Sequence, residues 1–258
     1  METTNKDTTS HKTQIIEIGD KEWRESFVKY YFEELDINEI EVNDAISVLT
    51  DDENARVKLV TNVSEILNRN KAMVGTIGEA HLSYLLEKRM NIVLTKAGWK
   101  STPLDVTKGV DLVGVGLDDF VIVFAEAKTS RTGAFKDKTM EELRDDLSLS
   151  RTEKKFKRRI GLESYSFIVA TFKRVVLKKG LTSTAGFTNI DKDFYLRIGS
   201  ILTKSAKIWG ENIDNADPGD SNDKRPCKLV LYVINDLSSK FAEISALLTK
   251  INEERAKD

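Results

Sequence analysis

The sequence is poor in the residues that build covalent cross-links and transition-metal centres. Among its 258 residues there are one cysteine, Cys227, and two histidines, His11 and His81. A single cysteine excludes an internal disulfide and any zinc site built from cysteines, and two histidines leave little for an imidazole site. Any metal chemistry must therefore use carboxylates, which favours a hard cation such as Mg²⁺ or Mn²⁺.

Long hydrophobic runs and prolines are scarce as well. No window approaches 18 consecutive apolar residues, so the sequence predicts no membrane span. The polar start METTNKDTTSHKT lacks the apolar stretch of a secretory signal, and we therefore expect a cytoplasmic protein. The chain contains only three prolines, which argues against long Pro-rich linkers. Its length fits one large domain or one domain with an appendage.

Charges of opposite sign cancel over the whole chain but not along it. The sequence has 40 Lys and Arg residues against 42 Asp and Glu residues, a net charge of -2. Residues 1–79 contain 9 basic and 17 acidic residues, whereas residues 128–179 contain 15 basic and 7 acidic residues. Solvated helix faces explain this division, as does a basic face for a polyanion combined with an acidic face for another partner.

Hydrophobic periodicity predicts an α/β sandwich with a mixed central sheet. The predicted strands are residues 14–18, 91–94, 110–115, 120–127, 165–172 and 228–234. The predicted helices are residues 21–35, 44–49, 53–67, 76–90, 140–160 and 237–251. We expect residues 1–12 to be disordered and residues 210–226 to form a surface loop. Residues 1–70 are grouped as a mainly helical N-terminal region that mediates association or regulation.

Two of the buried strands contain charged residues, which such strands normally exclude. Asp111 interrupts the run VDLVGV, and Glu126 and Lys128 end the run FVIVFAEAK. Glu126 and Lys128 are two residues apart and therefore project from the same face of their strand. The segment Gly116-Leu-Asp-Asp predicts a turn centred near residue 118. The resulting hairpin places Asp111 beside Glu126, with Cβ atoms ~5 Å apart.

These side chains suit the hydrolysis of phosphodiesters. Asp111 and Glu126 can share one Mg²⁺, and the backbone carbonyl of Ala127 can complete the protein ligands. Lys128 can hold or deprotonate the attacking water and offset charge in the transition state. Glu79, in the sequence Gly-Glu-Ala on the preceding helix, is a candidate third carboxylate that either binds the metal or orients a water. The alternative for Glu79 is a partly exposed helical residue without a catalytic role.

The order of Glu79, Asp111 and Glu126-Ala127-Lys128 resembles the motif of the PD-(D/E)XK nuclease superfamily. The resemblance covers residues 74–172 and implies a restriction-endonuclease-like mixed central sheet flanked by helices, within a nuclease domain of residues 71–258. It also implies a metal-dependent deoxyribonuclease. Val110 stands where the superfamily often has proline. The Gln-x-x-x-Tyr signature of some exonuclease branches is absent from the following helix, which puts membership of those branches in doubt.

Over nearly its whole length the chain also resembles HamA, the small subunit of the bacterial Hachiman anti-phage defence system. The shared features are a helical N-terminal region, a helix containing Gly-Glu, and the GxD and ExK motifs in this order. This resemblance implies a DNA-cleaving effector that a helicase partner, HamB, holds in check. The alternatives are a catalytically silent nucleic-acid-binding or subunit-interaction module, in which Lys128 forms a structural salt bridge, and an RNase.

A basic run follows the motif. The segment RTEKKFKRR, residues 151–159, has six basic residues in nine. A helix would bring four of them to one face, where they can track a phosphate backbone or simply be solvated. The candidate nucleic-acid-binding residues, including two basic residues further along the chain, are Arg151, Lys154, Lys155, Arg158, Lys173 and Arg174.

Overall fold

A computed structural model describes most of the elements that the sequence predicts. The described residues are 3–7, 11–34, 71–97, 111–130, 138–152, 194–205 and 227–255, with residues 169–170, 172–174, 177 and 190. The predicted helices at residues 44–49 and 53–67, the loop at residues 210–226, and Lys154, Lys155 and Arg158 lie outside them.

The described part of the chain forms a seven-stranded mixed sheet. Its strands are β1 Thr3–Asp7, β2 His11–Glu17, β3 Ile92–Ala97, β4 Leu112–Gly116, β5 Ile122–Ser130, β6 Tyr195–Thr203 and β7 Cys227–Val233. Their order is β1-β2-β7-β6-β5-β4-β3, and the four middle strands β2, β7, β6 and β5 run parallel. Antiparallel pairs extend the sheet at both ends. This confirms the predicted mixed α/β sheet, which is compatible with a restriction-endonuclease-like fold.

Helices cover both faces of the sheet. They are α1 Asp20–Glu22, a π-helical segment Trp23–Val28, α2 Lys29–Glu34, α3 Lys71–Arg89, α4 Thr139–Leu147 and α5 Leu237–Arg255. The helical segment of residues 20–34 packs with α3 and α5 against one face, where Ile198 and Val230 are buried. Helix α4 packs against the opposite face through Leu143 and Leu147. Among the described residues, no helix is long and apolar enough to cross a membrane.

Alternation along β5 assigns its side chains to these two faces. Val123 and Ala125 belong to the core under α3 and α5, whereas Ile122 and Phe124 belong to a second cluster on the other face. The same alternation directs Glu126 and Lys128 to the face that α4 covers. The two charged residues of the predicted motif therefore share a face with α4.

The structure corrects the predicted strand at residues 165–172. Residues 169–170 and 172–174 are helical, and the buried ring of Phe172 packs against the sheet cluster beside Phe120. The strand that pairs with β5 is β6, which the sequence analysis missed. Short apolar runs look alike whether they form a buried strand or pack a helix onto a sheet. In β6, the charged Arg197 and the polar Ser200 interrupt the apolar pattern.

Residues 3–7 and 11–12 lie in strands where disorder was expected, whereas the strand predicted at residues 14–18 is confirmed within β2. Residues 3–7 and 11–17 form the hairpin β1–β2, and β2 pairs in parallel with β7 along its whole length. Residues 3–34 thus contribute two strands to the common sheet and the helical segment to its core. The division of the chain at residue 70 falls beyond these elements and stays a prediction.

His81 lies in an aromatic cluster between the helical segment of residues 20–34 and the sheet. Its ring centroid is 4.5 Å from that of Tyr232, 5.1 Å from that of Phe27 and 6.4 Å from that of Trp23. The side chain is buried, and its Nε2 atom has no hydrogen-bond partner among the described residues. Burial, with a smaller effect of the Arg89 charge, lowers the pKa of His81 to about 3. The imidazole is therefore a neutral part of the core.

This buried imidazole predicts a loss of stability in weak acid. The unfolded chain takes up a proton near pH 6.5, whereas folded His81 does so only near pH 3, so stability falls as the pH drops below 6.5. Between pH 7.5 and 5 the His81 contribution costs about 2 kcal/mol of unfolding free energy. We expect His81→Phe and His81→Leu to flatten this part of the pH curve in urea unfolding. Curves that run parallel to that of the wild type would show that His81 titrates normally.

Candidate active site

The hairpin β4–β5 has the predicted register. Leu112 pairs with Ala125 and Val113 pairs with Phe124, so one further step places Asp111 opposite Glu126. The predicted turn is present at residues 117–119, and Phe120 follows with a left-handed φ of 56°. Because of this left-handed residue, β5 begins at Ile122 rather than at residue 120.

The two strands separate next to the charged residues. The paired part of β4 ends at Leu112, whereas β5 continues to Ser130 alongside β6. At this fork the carboxylate of Asp111 accepts a hydrogen bond from the backbone N–H of Ala127, with Oδ2 2.9 Å from the nitrogen. The Asp111 side chain thus accepts the hydrogen bond that a backbone carbonyl would accept if the strand pairing continued. The bond holds Asp111 against the segment Glu126-Ala127-Lys128.

Glu126 and Lys128 are both withdrawn from solvent. Glu126 is only 4% exposed, and the side chain of Lys128 is 25% exposed. The Nζ atom of Lys128 lies 2.6 Å from Oδ2 of Asp146 on α4. Burial by itself lowers the pKa of Lys128, but the hydrogen bond and charge of Asp146, with the charges of Asp111 and Glu126, outweigh it and raise that pKa. Lys128 is therefore an ammonium at neutral pH.

Asp146 is a site residue that the sequence analysis missed. It lies in a helix with several acidic residues, ELRDDL, where alternating charges suggest an ordinary solvated face. Asp146 could be identified from its position on the helix. Leu143 and Leu147 form the apolar face of α4, and Asp146 directly precedes Leu147. The predicted helix of residues 140–160 is interrupted at Ser148, whose backbone is extended with ψ 145°, and residues 149–152 are helical again. The Ser148 hydroxyl donates a hydrogen bond to the Asp145 carbonyl.

Helix α3 packs on the opposite side of β5, close to the same residues. A Cβ atom on Gly78 would lie 2.4 Å from Oγ1 of Thr129 and 3.9 Å from the carbonyl oxygen of Lys128. Thr129 also donates a hydrogen bond to the Val74 carbonyl, at 3.4 Å. The glycine of the Gly-Glu-Ala sequence is therefore required for the close packing of α3 on the strand that carries Lys128.

Glu79 follows this contact but is not gathered with the other carboxylates into a metal centre. In the part of the chain that the structure describes, no three carboxylate, imidazole or thiol groups converge closely enough to hold a metal ion together. Glu79 is partly exposed on α3, whereas Glu126 points to the α4 face. The role of Glu79 as a third ligand or as a water-orienting group stays a prediction.

The remaining donors fit a hard divalent cation. Asp111 and the buried Glu126 are opposite one another in register, and the register also places the Ala127 carbonyl at the fork. Two carboxylates and a backbone carbonyl are oxygen ligands, which Mg²⁺ prefers, and this ion usually keeps several waters in its shell. The chemistry of these donors therefore suits a cation held by few protein ligands.

The basic candidates are only partly described. Arg151 is half-exposed and directs its guanidinium to Asp146, with Nη1 3.1 Å from Oδ1, and to Asp145, with Nη2 3.6 Å from Oδ2. Lys173 and Arg174 are exposed on the helical stretch that replaces the predicted strand. Arg151 is therefore next to the Lys128–Asp146 pair rather than on a separate surface.

Comparison with known families decides the relationship of the chain. The family model of HamA matches residues 4–243, nearly the whole sequence. The chain belongs to the HamA family. This membership places it in Hachiman anti-phage defence, and the matched region includes Glu79, Asp111, Glu126 and Lys128. No curated protein matches the sequence.

The α3–β5 contact predicts opposite effects for two glycines of one helix. Gly78→Ala forces Thr129 or α3 to shift, and we expect a loss of about 1–3 kcal/mol in unfolding free energy. Gly75→Ala is the matched control, since its Cβ would meet nothing within 4 Å. This control gains up to about 1 kcal/mol from helix propensity. Equal effects of the two substitutions in urea unfolding would refute the close contact.

Proposed function

We propose that the chain is a Mg²⁺-dependent nuclease that hydrolyses DNA phosphodiester bonds as a cytoplasmic effector of Hachiman defence. The observation that carries this proposal is the fork of β4 and β5. There a carboxylate held by the Ala127 N–H lies opposite buried Glu126 and near the Lys128 ammonium. Membership of the HamA family supports the defence role. Carboxylates that can bind a metal ion, next to the positively charged Lys128 ammonium, suit reactions at phosphate.

Asp111, Glu126 and the Ala127 carbonyl are the groups that would hold the cation. A bound Mg²⁺ would polarise the scissile phosphate and lower the pKa of the attacking water. The hydrogen bond from the Ala127 N–H orients the Asp111 carboxylate, since it fixes one of the two oxygens. Because Glu126 is hardly exposed, bulk water competes less with its carboxylate for the cation. In this proposal Glu79 orients a water from the α3 side.

Lys128 has the electrostatic role in the proposed reaction. Its ammonium offsets the negative charge that grows on the phosphate oxygens, and its N–H groups can hold the attacking water. Asp146 on α4 contacts the Lys128 ammonium, and Arg151 on the segment that follows contacts Asp146. The exposed Arg151, Lys173 and Arg174, with Lys154, Lys155 and Arg158, are the proposed contacts to the DNA backbone.

A catalytically silent binding module is the second candidate. The observation that favours it is the ion pair of Lys128 with Asp146, since structural salt bridges also occupy the ends of sheets. An RNase shares the same metal chemistry and is a further outcome of the substrate test below.

Three substitutions separate cation binding from the chemical step. Asp111→Asn keeps an acceptor for the Ala127 N–H but removes the charge, and Glu126→Gln does the same at its position. Both should abolish cleavage and weaken Mg²⁺ binding in calorimetric titration, because the proposed site has few protein ligands. Lys128→Met should leave Mg²⁺ affinity intact or higher, while cleavage falls ~10²–10⁴-fold.

The control for these variants is Asp118→Asn. Asp118 lies in the turn at the other end of the same hairpin, where it accepts a hydrogen bond from Asn91. The Asp118→Asn substitution should leave both cation binding and cleavage unchanged. Plasmid, linear, single-stranded DNA and RNA substrates with Mg²⁺ or EDTA identify the substrate. If Lys128→Met cuts as fast as the wild type, the proposed mechanism is wrong.

A helicase of the HamB type is the proposed partner and regulator. The support is HamA family membership and the acidic balance of residues 1–79. Deletion of residues 1–70 does not test the partner, because it removes β2 and the helical segment from the core. The helicase should instead suppress cleavage when added in excess without ATP, and ATP with DNA should restore it. Equal cleavage by the chain alone, with the helicase, and with the helicase and ATP would contradict this assignment.

A further inference from the structure

Asp146 contacts both Lys128 and Arg151 beside the proposed site. Its Oδ2 lies 2.6 Å from the Lys128 ammonium and its Oδ1 lies 3.1 Å from Nη1 of Arg151. The carboxylate is 17% exposed, so the ion pair with Lys128 is partly screened from water. Such a pair is stronger than one at the open surface, where water and salt screen the charges. The contact joins α4 to the strand that carries the proposed catalytic residues.

We propose that Asp146 is a positioning residue that holds the Lys128 ammonium in place at the fork of β4 and β5. This inference rests on the proposed nuclease function, in which Lys128 acts on water and phosphate. A lysine has four rotatable side-chain bonds, and without a fixed partner its ammonium occupies many positions. One short ion pair to a residue of α4 selects among them.

The sheet fixes the position of α4 closely enough for this task. A Cβ atom on Gly199 of β6 would lie 2.4 Å from Cδ1 of Leu147 and 3.1 Å from Cδ2 of Leu143. The absence of a side chain at residue 199 thus makes the room into which the apolar face of α4 packs. Leu147, the neighbour of Asp146, makes the closer of the two contacts.

Arg197 fixes the end of the same helix. Its side chain is 2% exposed, and Nη1 donates a 2.7 Å hydrogen bond to the Leu147 carbonyl. The last carbonyls of a helix have no partner within the helix and carry partial negative charge, so a buried guanidinium is well placed there. Arg197 lies two residues before Gly199 and on the same face of β6. Two contacts from one strand thus hold the turn of α4 that carries Asp146.

The test compares two neighbouring aspartates. Asp146→Asn removes the charge that faces Lys128, whereas Asp145→Asn removes a charge whose side chain is 62% exposed and 3.6 Å from Arg151. We expect Asp146→Asn to lower kcat for DNA cleavage about 10–100-fold with KM and Mg²⁺ affinity within about twofold of the wild type. Asp145→Asn should cleave at the wild-type rate. Asp146→Glu, which keeps the charge but displaces it, should be intermediate.

A double mutant and chemical labelling separate positioning from a purely structural role. In a Lys128→Met background, Asp146→Asn should cost nothing further in kcat, because the group that it positions is gone. Acetylation of the Lys128 amine, followed by mass spectrometry of the protein without DNA, should be several-fold faster in Asp146→Asn than in the wild type or Asp145→Asn. A purely structural role predicts lower thermal stability with additive losses of kcat.

The outcomes also separate this inference from the proposed function. Asp146→Asn that cleaves at or above the wild-type rate would overturn the inference, since the ion pair would then be incidental or would restrain Lys128. Equal labelling of Lys128 in all variants would overturn it as well. If the wild type cleaves no substrate while labelling still rises only in Asp146→Asn, the proposed function fails and the hold of Asp146 on Lys128 stands.

Discussion

The hydrogen bond between the Ala127 N–H and the Asp111 carboxylate is the interaction on which the rest of the site depends. It lies where β4 stops pairing and β5 continues, so a backbone donor that β4 no longer satisfies is given a charged acceptor. The same contact brings a second carboxylate to the register position of buried Glu126. The same hydrogen bond therefore pairs the free backbone N–H at the end of the β4–β5 ladder and brings the two candidate cation ligands together.

The two layers of helices hold this fork from opposite sides. On one side Gly78 allows α3 to pack on β5 at Thr129, and on the other Gly199 receives the leucines of α4. Both contacts require glycine because a side chain would occupy the space. The layers thus fix β5 within the sheet, while the charged face of its last residues meets α4. Burial of several charges at this position costs stability, as is common for functional sites.

The sequence allowed prediction of the hairpin and its pair of carboxylates because their signal is local. A turn between two apolar runs sets the register, and Asp111 and Glu126 follow from it. It did not allow prediction of β6, since Arg197 and Ser200 interrupt its apolar pattern and its partners are distant in sequence. Asp146 was missed for a related reason, because one aspartate in an acidic helix acquires meaning only from the strand that it faces. The strand predicted at residues 14–18 lies within β2, but its extension to residue 11 and the strand at residues 3–7 depend on the pairing of β2 with β7 and of β1 with β2.

A crystal structure with Mn²⁺ would show whether the fork of β4 and β5 holds a divalent cation. Anomalous scattering at the manganese edge locates the ion independently of any activity. We expect a peak about 2.1 Å from carboxylate oxygens of both Asp111 and Glu126 and from the Ala127 carbonyl. A fork without a peak at millimolar Mn²⁺, with Asp111 and Glu126 ordered, would contradict this expectation.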